Sequence, residues 1–502
     1  MKKASVSKNY IYNLIYQVLA VIIPIILKPY LSRVLEPDGM GRFSFTNTFM
    51  TYFSYLALLG VQLYGTKVIS LAQDDPYKLK KTFWEILGLK AITSVIAITL
   101  YFTVMPPLIG DELIYFHGIW LFVNLIDITW YFTGSERFKS IVIRNSIIKI
   151  LTVVSIFVFV RTKEDIYIYA TILAAAELLG QLILWFSIRK ETVVKELKTL
   201  KGDFHPSLHI KGTLTLFLPQ AIILLYTSLN TTMIGFMSGQ EQVGFFDSGA
   251  MIVNTMLLVA TSLAMVMVPR ISKLNEEGDK KKITDLLNKS IHVTTYLAYP
   301  MMFGLIVLSH IFVPWFFGMD YLPVVDILAL YSIKISLVVI SNVIGVQYMI
   351  PTNKNKGFII SVSTGAIITL ILNFIFIPIY GAYGAVIVSL IAEALVVLAQ
   401  IILIRKEINF TLIILKTYKA MIASILMGLA VYFMEPVISS GIDKMMNGTF
   451  SYEITTAILL MLYAILGVIV YFTVNLILRT QVQQDILKKI FSIFSKKKSW
   501  IK

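Results

Sequence analysis

Eight ionisable side chains lie inside stretches that are otherwise almost wholly apolar: Lys28, Lys90, Asp127, Arg144, Lys149, Glu177, Lys334 and Glu393. A charge at the middle of a membrane helix costs about 2.5–3.5 kcal/mol on insertion scales. Such residues therefore face a wet interior, pair locally, or reach for an interface. Asp127 and Arg144 lie nearest the ends of their segments, where reaching for the interface accounts for them. The other six sit deeper and are candidates for a central cavity, in which Lys and Arg would hold an anion such as phosphate. A second, uncharged group is Gln220, Thr227 and Thr231, on one stripe at helical spacing with Asn230 beside it. That stripe reads either as polar glue between helices or as a cavity wall. The chain has no cysteine, which removes disulfides, thiol nucleophiles and Cys-ligated metals. Its histidines (His117, His205, His209, His292, His310) form no zinc spacing. His205 and His209 are an i, i+4 pair interrupted by Pro206 and read as solvated loop residues.

These residues need helices to position them. Of the 502 residues, 57% are apolar and 15% charged, and the mean hydropathy is +0.78, too greasy for a soluble globule. Fourteen apolar segments fall near 10–35, 44–72, 84–106, 113–134, 141–161, 166–188, 213–237, 244–268, 291–314, 325–350, 357–377, 382–404, 417–435 and 454–478. Each is near the ~20 residues that a spanning helix needs. Barrel strands are half that length and alternate in polarity, so the expected class is an all-α polytopic membrane protein. The first segment is too long for a signal-peptide core and lacks a small-x-small cleavage site, so it reads as the first span.

Charge placement orients the spans. With Met1 inside, 33 of the 44 Lys and Arg fall on the cytoplasmic side and five in the short outer connections, so both termini are expected in the cytoplasm. The net charge of +15 thereby has an explanation other than nucleic acid, and no nucleic-acid partner is expected. Outer connections this short cannot fold into a catalytic domain.

An internal repeat divides the chain. Val34–Phe43 aligns without gaps on Met237–Phe246, pairing Gly41 with Gly244. Glu177 precedes Arg189-Lys190-Glu191 by the same interval as Glu393 precedes Arg405-Lys406-Glu407, and the acidic-then-basic loops after helices 2 and 8 correspond. Six spans per half make the repeats parallel. The expected organisation is an N-lobe (1–190), a cytoplasmic linker (191–212), a C-lobe (213–408), two further helices (409–480) and a basic amphipathic tail (481–502). In that tail Val482, Ile486, Ile490 and Ile493 precede Lys496-Lys497-Lys498, a pattern suited to an anionic lipid surface.

Lys28-Pro29-Tyr30-Leu31-Ser32-Arg33-Val34-Leu35, leading to Gly39, Gly41, Phe43 and Ser44, resembles the first-helix signature of the Wzx-type polysaccharide flippases of the MOP exporter superfamily. Asp127, Trp130-Tyr131-Phe132, Gly134, Glu136 and Phe138, followed by Arg144-Asn145 and Lys149, resemble that family's helix 4–5 pattern. Val268-Pro269-Arg270-Ile271-Ser272 and Asn373, Pro378, Gly381-Ala382 and Gly384-Ala385 resemble its second-half motifs. The resemblance covers roughly residues 5–410. It implies two six-helix lobes plus two C-terminal helices, in a bacterial cytoplasmic membrane. The implied work is alternating-access transfer of undecaprenyl-pyrophosphate-linked oligosaccharide repeat units for capsular, O-antigen-type or exopolysaccharide export. The family's cationic cavities agree with the interior lysines. By analogy within the superfamily, no cofactor is implied beyond an H⁺ or Na⁺ gradient, with Asp127, Glu177 and Glu393 as candidate coupling residues. Arg33 and Arg270, at opposite membrane faces, could contact a headgroup or gate the path, or simply flank their spans. Partners would be the lipid-linked oligosaccharide, the bilayer, and polysaccharide polymerase and chain-length machinery.

Three rivals compete. A polymerase, ligase or glycosyltransferase of the same pathway would need sizeable outer loops. A MATE-like exporter of small molecules fits the fold, but the helix 4–5 pattern and interior lysines disfavour cationic drugs. A flippase for another lipid-linked glycan, such as a teichoic acid or peptidoglycan precursor, fits as well.

Overall fold

The computed structural model describes residues 6–189, 191, 193–194, 204–446 and 451–488, and every regular element among them is helical. In hydrocarbon each backbone N–H and C=O must be bonded within its own segment, which long apolar runs achieve as helices. The first, α1 (Val6–Leu58), counts 53 residues but breaks at Glu36, whose φ 57° and ψ 175° are not helical. Unbroken, it would run about 80 Å against a hydrocarbon core of about 30 Å. There follow α2 (Val61–Ala72), α3 (Pro76–Ile109), α4 (Leu113–Ile126), the short α5 (Thr129–Gly134), α6 (Phe138–Phe159), α7 (Ile166–Ile188) and α8 (Ile210–Ser238). Next come α9 (Gln240–Thr261), α10 (Ala264–Glu276), α11 (Lys280–Phe317), α12 (Val324–Tyr331) and α13 (Ile333–Ser341), which runs into a π-helical stretch, Asn342–Met349. The last are α14 (Asn355–Ile404), broken at Gly381, then α15 (Phe410–Leu415), α16 (Tyr418–Met446) and α17 (Tyr452–Ile477).

Eleven of the described helical stretches are long and apolar enough to cross a membrane, and Leu113–Ile126 is a shorter apolar helix. Two of the eleven, Ile22–Ala72 and Asn355–Ile404, each contain a break. Divided there, and with the shorter helix added, they reproduce the fourteen segments of the hydropathy pattern. Local chemistry sets the ends. Asp75 accepts from the backbone N–H of Tyr77 and Lys78 with Pro76 at the first helical position of α3, and Asp279 accepts from Lys282 N–H to start α11.

The chain divides into two compact units, residues 1–244 and 245–502. Among the described residues, two apolar cores lie in the first unit. One joins Val61 and Ile69 of α2, Phe83 and Ile86 of α3, Trp130 and Tyr131 of α5, and Leu184 and Ile188 of α7. The other joins Leu27, Leu31 and Leu35 of α1 to Leu113 of α4, Ile156 of α6 and Ala170 of α7. In the second unit Ile271, Leu287, Val343, Ile344, Ile404 and Phe410 form a core, and a smaller one unites Tyr296, Ala423, Met427 and Tyr471. Large apolar side chains are exposed in rows, including Ile92 and Ile96 of α3 and Ile150, Leu151 and Val154 of α6. Such rows suit lipid and would be a liability in water.

The repeat read from Val34–Phe43 and Met237–Phe246 reappears in the backbone. Glu36 has φ 57°, ψ 175° and its counterpart Gly239 has φ 92°, ψ 170°, a region that glycine enters freely and glutamate only under strain. Gly41 and Gly244 meet each other: a Cβ on Gly41 would run into the Gln240 carbonyl and the Gly244 nitrogen, and one on Gly244 into the Pro37 carbonyl. Val482 and Ile486 of the tail lie against the Tyr296, Met427 and Tyr471 core. Ile490, Ile493 and Lys496–Lys498 lie outside the described residues, as do 195–203 of the linker.

Candidate functional site

Between α4 and α5 the helix lets go for two residues. Asp127 is extended (φ −64°, ψ 125°) and Ile128 is non-helical, so backbone groups that a continuous helix would satisfy need other partners. Side chains from α3, α5 and α7 supply them. The fully buried Lys90 donates its Nζ to the Asp127 carbonyl, which also accepts Trp130 Nε1 at 3.2 Å. Trp185 Nε1 donates to the Ile126 carbonyl at 2.7 Å, and Ile128 N–H reaches Gln181 Oε1 at 3.4 Å. The Asp127 carboxylate turns onto Thr129, accepting its N–H at 3.0 Å and its hydroxyl at 2.6 Å.

Around this break stand the other charges of α6 and α7. Arg144 is buried; its Nε donates to Asn145 Oδ1 at 2.8 Å and its Nη1 to the Gly180 carbonyl at 3.3 Å. Glu177, one turn before Gly180, lies within electrostatic range of Arg144, Asp127 and Lys149. Glu177, Gly180, Gln181, Leu184 and Trp185 share one face of α7 by their spacing. The structure thus brings together Lys90, Asp127, Arg144, Lys149 and Glu177. Asp127 and Arg144 do not reach for an interface as their positions near segment ends suggested; both are buried. For Asp127 the reason is the helix break, which turns an apparent segment end into a bend; Arg144 is instead held by Asn145 and the Gly180 carbonyl.

The second unit has a simpler counterpart. Lys334 of α13 donates to the Tyr331 hydroxyl at 3.0 Å with its ammonium 5.0 Å from that ring's centre, and Glu393 of α14 is within its electrostatic range. The π-helical stretch 342–349 occupies the place in this repeat that the Asp127 break holds in the first. Both repeats leave α-helical geometry there, by different means, as helices at functional sites often do.

The remaining candidates lie elsewhere. Lys28 is half-buried on α1, and the exposed Arg33 donates to the Pro29 carbonyl at 2.9 Å. Gln220 and Thr227 bond carbonyls of their own helix, those of Leu216 at 2.7 Å and Ile223 at 3.0 Å, and Thr231 is buried. Arg270 lines a separate cleft of about 390 Å³ with Lys273, Glu277, Lys282, Asp285 and Lys289.

His209 is a correction to the sequence reading. Its Nε2 lies 3.1 Å from the Oε2 of buried Glu85, and its Nδ1 lies 3.1 Å from the Tyr64 hydroxyl. Pro206 begins a 3₁₀ turn that feeds α8, since proline at a first helical position forfeits only an N–H that has no helical partner.

Sequence reasoning also missed a pair of clasps. In the first unit Tyr131 donates to Glu191 Oε2 at 2.9 Å and Arg137 bonds the same carboxylate. In the second, Tyr348 donates to Glu407 Oε2 at 2.8 Å and Lys354 to Oε1 at 2.5 Å. Each cation follows a left-handed residue, Glu136 (φ 56°) or Asn353 (φ 60°). Each also donates its N–H five residues back, Arg137 to Phe132 O at 2.9 Å and Lys354 to Met349 O at 2.8 Å, a Schellman-type helix end. The repeated Arg-Lys-Glu was the available signal; the tyrosine partners lie about 60 residues before it.

A sequence profile of the family described as "Polysaccharide biosynthesis protein" matches residues 6–275. That range includes the first-helix and helix 4–5 residues and Val268–Ser272, while Asn373–Ala385 lies beyond it. A candidate O-antigen transporter of Escherichia coli (strain K12) is 27% identical over 414 residues, covering 81% of this chain and 98% of that protein. Among solved structures, the lipid II flippase MurJ in an inward closed conformation superposes with a TM-score of 0.65 at 17% identity, covering 94% of this chain and 99% of that one. An inward-facing multidrug resistance MATE family transporter of the MOP superfamily gives 0.58 at 16%, covering 81% and 95%. These two likenesses establish the fold.

Proposed function

The chain belongs to the polysaccharide biosynthesis protein family, and from that premise we propose that it translocates a lipid-linked glycan across the membrane, with no catalytic step of its own. The substrate is an undecaprenyl-pyrophosphate-linked oligosaccharide repeat unit, moved by alternating access from the inner to the outer leaflet of a bacterial cytoplasmic membrane. The product feeds a capsular, O-antigen-type or exopolysaccharide. Both termini lie in the cytoplasm, as the placement of Lys and Arg favours.

The observation that carries this reading is the gathering of Lys90, Asp127, Arg144, Lys149 and Glu177 around a broken helix, inside spans whose outer faces are apolar. Lys90 is buried on the Asp127 carbonyl, and the half-buried Lys149 is the cation there that suits a pyrophosphate, since each charge-assisted bond is about twice as strong as a neutral one. Carboxylates among them suit an ion taken up and released during the cycle, and Glu177, Glu393 and Asp127 are assigned that part. The relative in Escherichia coli, matched over nearly its whole length, is a candidate transporter of O-antigen, which supports a glycan cargo.

The test is reconstitution of the full chain into vesicles holding a fluorescent undecaprenyl-pyrophosphate oligosaccharide in one leaflet. The expected result is its appearance in the other leaflet, read by an impermeant quencher and altered by a proton or sodium gradient. Failure of every polyprenyl-linked glycan to cross, under gradients of either sign, overturns the proposal. Transfer of a peptidoglycan or teichoic acid precursor in preference to the repeat unit reassigns the cargo.

A further inference from the structure

The second unit holds a cationic cavity apart from the buried charges described above. It measures about 290 Å³ and lies where α11, the start of α16 and the end of α17 meet, lined among others by His292, Lys416, Lys419, Arg479 and Thr480. No carboxylate is among its lining residues. Lys419 Nζ donates to the Leu478 carbonyl at 3.0 Å and so ties α16 to the end of α17. The chain then turns through Arg479 with φ 52°, a left-handed conformation that side-chain-bearing residues seldom adopt. That turn brings Thr480 into the wall, where its Oγ1 is buried without a hydrogen-bond partner. A buried hydroxyl left unpaired is unfavourable, and an arriving acceptor oxygen would relieve it.

A second cavity adjoins it. Tyr296 lines both the cationic site and a cleft of about 360 Å³ between α11, α16 and α17, whose other walls include Pro300, Gly304, Gly428 and Gly467. That cleft is apolar along almost its entire lining. A cation-rich, carboxylate-free cup at a helix-end level, opening onto an apolar slot within the spans, has the two-part chemistry of an anionic lipid. We propose that Lys416, Lys419, Arg479 and Thr480 bind the phosphate of a membrane lipid whose hydrocarbon chain lies in the adjoining cleft. Lys416 and Arg479 are exposed and give the charge, while Lys419 and Thr480 shape the wall. The inference needs only that the chain sit in a bilayer, so it stands or falls apart from the identity of the translocated glycan.

The experiment uses the purified full chain in phosphatidylcholine nanodiscs, with retained lipid read by native mass spectrometry after adding phosphatidylglycerol or undecaprenyl phosphate. An anionic lipid should be retained over zwitterionic phosphatidylcholine, and Lys416→Gln with Arg479→Gln should weaken retention about thirtyfold, in line with about 1 kcal/mol for each of the two surface cations. Thr480→Val should weaken it without lowering the melting temperature, which separates ligand binding from folding. The pair Lys281→Gln and Lys356→Gln removes the same charge elsewhere and should retain lipid as the wild type does. Preference for undecaprenyl phosphate identifies the carrier lipid, and equal retention identifies bilayer phospholipid; either upholds the site. Equal losses in both charge pairs, unchanged retention in Lys416→Gln with Arg479→Gln, or full displacement by inorganic phosphate overturns it.

Discussion

Lys90 and Lys149 look alike in the sequence, as single lysines in apolar runs, yet the structure gives them different work. Lys90 is fully buried and fills the backbone acceptor that the Asp127 break exposes, whereas Lys149 is only half-buried and lies near Glu177. Lys90→Met should therefore destabilise the fold by about 1.5–3 kcal/mol, the worth of a hydrogen bond from a charged donor, with Trp130 Nε1 still on that carbonyl, seen as a lower melting temperature in detergent. Lys149→Ala and Glu177→Gln should leave the melting temperature unchanged and slow glycan transfer severalfold; an equal loss of stability in all three would assign them to the scaffold. A second residue-scale test concerns Asp111, which burial pushes up in pKa and the paired Arg42 guanidinium, at 2.9 and 3.0 Å, holds below the usual carboxylate range. A depressed folded value contributes stability above the unfolded pKa of about 3.9. That stability fades as the pH falls through the lower folded value. Wild type should thus be more stable than Asp111→Asn at pH 7, and the gap should close in acid below the ordinary aspartate range. A gap independent of pH would remove the ion pair as its cause. Neither role was legible beforehand, since hydropathy reports that a charge is inside a span and says nothing of which carbonyl it meets.

At the scale of elements, the close approach of α1 to α9 depends on having no side chain at Gly41 or Gly244. A methyl at Gly41 would meet the backbone of Gln240 and Gly244, which cannot swing aside as a side chain can. Gly41→Ala should cost about 1–3 kcal/mol, typical of overpacking, measured as a drop in melting temperature. Gly304→Ala, whose added Cβ meets nothing within 4 Å, should be neutral, and equal behaviour of the two would argue against the crossing. The gapless alignment of Val34–Phe43 on Met237–Phe246 made this glycine pair visible as a repeat. Their mutual contact was not visible, because alignment reports equivalence and not proximity. The clasps on Glu191 and Glu407 follow the same pattern: the repeated Arg-Lys-Glu was legible, its tyrosine and cation partners were not. Lys354, hydrogen-bonded to Glu407, holds that carboxyl below the usual range, so the second clasp stays formed at neutral pH.

For the whole molecule, charge placement predicts an orientation that a cysteine-free chain makes simple to test. Single cysteines at Thr162 and Glu453 should react with an impermeant maleimide in intact cells, and one at Lys281 only after permeabilisation. The reverse pattern would invert the topology. The sequence by itself determined that this is a membrane-spanning helical chain with fourteen apolar segments and an internal repeat. Those properties follow from hydropathy, segment length and self-similarity, which are local and additive along the chain. Only the tertiary structure decided that Asp127 sits at an unwound bend, that Lys90, Gln181 and Trp185 close it, and that His209 joins Glu85. Each of these depends on which carbonyl or carboxylate another helix presents within about 3 Å, and a linear pattern of apolar and polar residues does not encode that distance.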